Sequence, residues 1–111
     1  MNESYANLTA AQRDSIDQVK HMDRMERMAY RVARRYVRQS LNHPKTADFP
    51  ILSQPLIEHQ GDSAFLVSHY VDAKNSFGVE GRLHYTAKVQ YGGGDVDNEN
   101  NWVLWDLKTS E

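Results

Sequence analysis

Cysteine is absent from the 111 residues, which excludes disulfides and thiolate zinc sites and leaves the redox compartment open. Long apolar runs are missing too, and the opening MNESYANLTAAQRDS is polar and lacks an apolar core. Neither a signal peptide nor a membrane span is therefore expected, and the cytoplasm is the expected location. Without a secretion signal the sequon Asn7-Leu8-Thr9 carries no weight. Proline and glycine are scarce, 3 and 6 residues. The prolines fall between Pro44 and Pro55 and three of the glycines form Gly92-Gly93-Gly94, so the chain on either side can form uninterrupted elements.

What is present is periodic. From Phe77 to Tyr91 the odd positions, Gly81 apart, are apolar or aromatic and the even ones polar or glycine. Successive side chains of a strand face opposite ways, so this stretch predicts a long antiparallel strand at the centre of a sheet. Thr9-Ala10-Ala11-Gln12 has the form of a capping box. Beyond it Ile16, Val19, Met22, Met25, Met28, Ala29, Val32, Ala33, Tyr36, Val37 and Leu41 recur at three-and-four spacing. One helix over about Ala10 to Leu41 is predicted, ended by Asn42-His43-Pro44. An extended segment from Pro44 to Pro55 leads to an edge strand near Leu56 to His59, and Gln60 to Ser63 is a turn. Ala64 to Val71 is a second strand and Asp72 to Ser76 a hairpin connection. After the central strand, residues 92–101 read as a mobile acidic loop, and Trp102 to Leu107 as the last strand. The expected fold is α+β, with one long N-terminal helix packed on a four-stranded antiparallel meander sheet, in a single domain over 1–111 with a flexible N-terminus at 1–8.

Three stretches, Leu41 to Pro50, Val71 to Gly78 and Trp102-Val103-Leu104-Trp105-Asp106-Leu107, resemble a small α+β domain of bacterial and phage proteins with a cystatin-like arrangement of helix on curled sheet. The resemblance spans roughly residues 30 to 108. It implies a fold and a phage or mobile-element setting, and it carries over no catalytic residue.

Constellations for chemistry are sparse. His21, His43, His59, His69 and His84 show no metal-ligand spacing. Asp95, Asp97 and Glu99 alternate in a glycine-led loop but lack the glycine and the terminal glutamate of a calcium-binding EF-hand loop. The glycine run is followed by neither lysine nor helix, as a phosphate cradle would need, and no serine sits in a recognisable nucleophile elbow. No catalytic residue, metal or cofactor is expected.

Charge gives the functional lead. Residues 1–45 carry nine Lys/Arg against five Asp/Glu, or +4, and residues 46–111 carry four against ten, or −6. The basic excess lies in Arg24, Arg27, Arg31, Arg34, Arg35 and Arg38, along the helix face opposite the apolar stripe. Arginine in place of lysine suits bidentate contact with carboxylate or phosphate. The reading that follows is a non-enzymatic protein-binding module. Its contact residues are these arginines together with Asp95, Asp97 and Glu99 in the acidic loop. In a phage setting its action would be inhibition of a host defence machine such as a CRISPR nuclease complex. The alternatives are a nucleic-acid-binding accessory protein using the arginine face and a cystatin- or NTF2-like ligand-binding or enzymatic domain. The mixed charges of Glu80, Arg82, His84, Thr86, Lys88 and Gln90, and an open sheet edge, would also suit a homodimer.

Overall fold

The computed structural model describes the backbone of residues 9–111, and side chains apart from those of 12–23. The flexible N-terminus expected over 1–8, the Gln12 arm of the capping box, the apolar positions Ile16, Val19 and Met22, and His21 lie outside the described residues. Helix α1 runs Ala10–Ser40, close to the predicted bounds, a length of about 46 Å at the usual rise. Strands β1 (Leu56–Gly61), β2 (Ala64–Lys74), β3 (Glu80–Tyr91) and β4 (Trp102–Ser110) follow. They pair antiparallel in the order β1-β2-β3-β4, with β3 inside the sheet as its alternation predicted.

Helix and sheet meet through complementary periods. Met25, Met28, Ala29, Val32, Ala33 and Val37 are buried at three-and-four spacing, and they pack on Phe65, Val67, Val71, Tyr85, Ala87, Val89 and Trp102 of the sheet. Ala29 and Ala33, both fully buried, present only methyl groups and let the helix backbone approach the strands closely. The other sheet face has no helix over it among the described residues. It carries Tyr70, His84, Thr86, Lys88 and Trp105 toward solvent, with Ser68 and Thr86 hydroxyls 3.1 Å apart across the β2–β3 pair.

Three local features depart from expectation. Strand β3 begins at Glu80, three residues later than its alternation suggested, and Phe77 is 88% exposed. The reason is the turn: Asn75 Oδ1 accepts from the amides of Phe77 and Val79 at 2.9 and 3.1 Å, and Gly78 takes φ +75°, so this stretch closes a hairpin and no longer pairs as strand. Strand β2 correspondingly runs on to Lys74, past the predicted hairpin start at Asp72. On β4, Lys88 faces Asp106 while Val89 faces Leu104, leaving Trp105 as the extra residue of a bulge. That offset turns Trp105 outward, where its indole N–H donates to Gln90 Oε1 at 2.8 Å.

The proline-rich segment is extended only in part. Pro44–Thr46 forms a 3-10 turn. Asp48 then exchanges backbone hydrogen bonds with Asp72 at 2.8 and 3.1 Å, and the Lys74 amide donates to Thr46 Oγ1 at 2.9 Å. The segment covers the edge of β2 beyond the end of β1, which shields amides that would otherwise stay unpaired.

Candidate functional site: the arginine face and its acidic strap

An α-helix places residues three, four and seven apart on one side, so Arg24, Arg27, Arg31, Arg35 and Arg38 share a broad face turned from the sheet, with Arg34 at its margin reaching back over Tyr30. The acidic loop, expected as an independent mobile surface, lies along this face. Arg24 forks onto Asp97, with Nε donating to Oδ1 at 3.1 Å and Nη2 to Oδ2, and stands 3.9 Å from Asp95. Arg31 Nε reaches Glu99 Oε1 at 2.9 Å and Arg35 Nη1 reaches Oε2 at 3.5 Å. Two groups that the sequence reading assigned to external partners are therefore, in part, partners of each other.

The loop holds this position through its own chemistry. Asp95 Oδ1 accepts from the Asp97 amide at 3.0 Å and Asn98 Oδ1 from the Asn100 amide at 3.0 Å. Asn101 Nδ2 donates to the Asp95 carbonyl at 3.0 Å, and the Tyr91 hydroxyl donates to the Gly94 carbonyl. Gly94 sits at φ +82°, and a Cβ there would come within 2.8 Å of Asn101 Nδ2, so only glycine fits. Val96 is buried, and its carbonyl accepts from the Trp102 indole N–H at 2.9 Å. Sequence reasoning missed this anchor; the signal was a lone valine between Asp95 and Asp97.

Arg27, Arg34 and Arg38 make no ion pair among the described residues. Arg34 lies with its guanidinium carbon 4.4 Å over the Tyr30 ring, and Arg38 lies 5.2 Å over Phe49. Aromatic stacking of this kind restrains a guanidinium without consuming its outward donors. Arg31, Arg34, Arg35, Arg38 and Glu99 line a surface hollow of about 310 Å³. The arrangement offers forked donors to a planar anion, and Glu99 already shows a carboxylate seated between two of them.

The paired carboxylates respond to their partners. Hydrogen bonding from Arg24 holds Asp97 below its ordinary value of 3.8, as Arg82 does for Asp72 on the open sheet face. A depressed folded value means that the ion pair contributes fully above the unfolded value and is lost as pH falls through the folded one. The Arg24–Asp97 pair is accordingly expected to loosen only in acid, below pH 3.8. Following the Asp97 carboxyl carbon by NMR checks this, and Arg24→Gln should return its midpoint toward the ordinary value.

Beneath the arginines lies an unsatisfied polar cluster. The hydroxyls of Tyr30 and Tyr85 and Arg34 Nε are buried without a well-formed hydrogen bond, although the two phenols lie close enough to influence each other's ionisation. Burial raises both phenols above their ordinary value, with Arg34 opposing the shift at Tyr30. A buried hydroxyl without a partner costs stability. Tyr85→Phe is therefore expected to gain about 1 kcal/mol, read as a higher urea midpoint; a loss of that size would show that the hydroxyl is bonded, through water or to Tyr30.

His59 and His69 hold separate partners. His59 Nε2 lies 2.7 Å from Glu26 Oε1, and His69 Nε2 lies 3.0 Å from the Ser53 carbonyl. No group of three His, Cys, Asp or Glu side chains able to hold a metal occurs among the described residues. No helix among them is long and apolar enough to cross a membrane. Compared with known proteins, the chain matches no family model, no curated protein and no solved structure.

Proposed function

We propose that this protein is a non-enzymatic binding module whose arginine face docks on an acidic protein surface. The observation that carries the reading is Glu99: its carboxylate is held by Arg31 and Arg35, while Arg34 and Arg38 line the same hollow with no ion pair of their own among the described residues. An external Asp or Glu entering beside Glu99 would meet guanidinium donors already positioned by ring stacking, so little side-chain freedom is lost on binding. Arg27 extends the surface by one helical turn. Asp95, Asp97 and Glu99 act chiefly as the frame that orients the arginines, with Asp95 the most exposed of them. In the phage setting implied by the sequence resemblance, the partner is a host defence complex and the binding is inhibitory.

The test is affinity capture from a host lysate, with and without nuclease, read by mass spectrometry. One stoichiometric protein partner retained after nuclease supports the reading. Signal lost with nuclease overturns it in favour of a nucleic-acid backbone as the anion, with the steep salt dependence that such binding carries.

A further inference from the structure

The end of the molecule where the β2–β3 hairpin projects carries a knob and a hole side by side. The knob is Phe77, 88% exposed, with Val79 60% exposed next to it. It stands on a rigid turn: besides the two amides bonded to Asn75 Oδ1, the Asn75 amide donates to the Val79 carbonyl at 2.9 Å and the Gly78 amide to the Asn75 carbonyl at 2.9 Å. The hole is a cavity of about 470 Å³ where the sheet outruns the helix. Its apolar floor is Leu41, Ala73, Leu83 and Leu107. The space exists because Ala73 and Gly81 are opposed in register on the helix-facing side, and a Cβ at Gly81 would meet nothing within 4 Å.

Phe77 cannot be filling the cavity of its own chain, since it is exposed. The cavity walls at Asn75 and Gly81 lie two and four residues from it, so knob and hole belong to one surface patch. A patch of that kind is self-complementary under a two-fold axis, where residue i of one copy meets residue j of the other and the reverse. The rim charges agree: Lys74 and Glu111 both line the cavity and bring opposite signs across such an axis, while Glu80 faces Lys74 within its own chain and Arg82 is already held by Asp72 at 2.9 Å. We propose that this end is a homodimer interface in which Phe77 of each copy seats in the Leu41, Ala73, Gly81, Leu83 and Leu107 cavity of the other. It is separate from the arginine face and does not depend on the partner proposed for it.

Sedimentation velocity over a concentration series tests the interface on the full chain, with two variants. Phe77→Ala removes the knob at an exposed tip and cannot unfold the core. Gly81→Leu fills the hole from within, at a strand position whose φ is not in the left-handed region. The expected result is a concentration-dependent dimer that each variant converts to monomer, with far-ultraviolet circular dichroism unchanged. A wild-type chain that stays monomeric throughout, or a dimer that survives either folded variant, overturns the inference.

Discussion

Trp102→Ala is expected to destabilise the protein by about 3–5 kcal/mol, a large share of a small domain's total stability. The indole is 2% exposed and packs on Phe65 and Tyr91 at ring separations of 6.0 and 5.5 Å. Truncation opens a cavity where these rings converge and strips the Val96 carbonyl of its donor. The second consequence is specific to this fold. Val96 pins the acidic loop, so its release should also slacken Asp97 on Arg24 and Glu99 on Arg31, beyond what a generic core cavity would do. Urea unfolding followed by circular dichroism reads the stability. Trp105→Ala is the control: that ring is 64% exposed on the β4 bulge, and its loss is expected to cost less than about 1 kcal/mol. A larger cost for Trp105→Ala than for Trp102→Ala would mean that β4 is registered the other way, with Trp105 inside.

Arg34→Glu combined with Arg38→Glu is expected to weaken binding of the captured partner about 100-fold, taking roughly 1.4 kcal/mol for each reversed contact. The fold should persist, because each new carboxylate stands three residues after an arginine, Arg31 or Arg35, and can pair with it along the helix. Titration calorimetry measures the loss. Lys108→Glu on the open sheet face makes a control for net charge and should leave affinity nearly unchanged. Equal loss from Lys108→Glu would show a diffuse electrostatic effect in place of a docking face. Should the captured partner be nucleic acid, the paired reversal would instead flatten the salt slope by about 2.

Much of the architecture is legible in the sequence alone. The helix and the strand around Leu83 to Tyr91 were readable because each buries one face, the helix through Met25 to Val37 among the described side chains, and burial imposes a period of 3.6 or 2 on the residues that face the core. The meander order followed from connections too short for a parallel crossover, the longest being residues 92–101 between β3 and β4. Even the arginine stripe was visible, since it is the complement of the apolar one.

The tertiary structure decided what the charged residues do. Arg24 and Asp97 stand 73 positions apart in sequence, and no local pattern says that a loop between two strands will fold back along the helix. The same holds for Phe77, whose apolar character fitted the strand alternation until the Asn75 turn, with Gly78 in the left-handed region, took the chain out of the ladder. The cavity beside it is equally non-local, formed where a helix stops at Ser40 and a sheet continues past Ala73 and Gly81. Periodicity is a property of one element facing one core and can be read along the chain. Ion pairing, knobs and cavities are properties of how separate elements are juxtaposed, and they arise only once the chain has closed on itself.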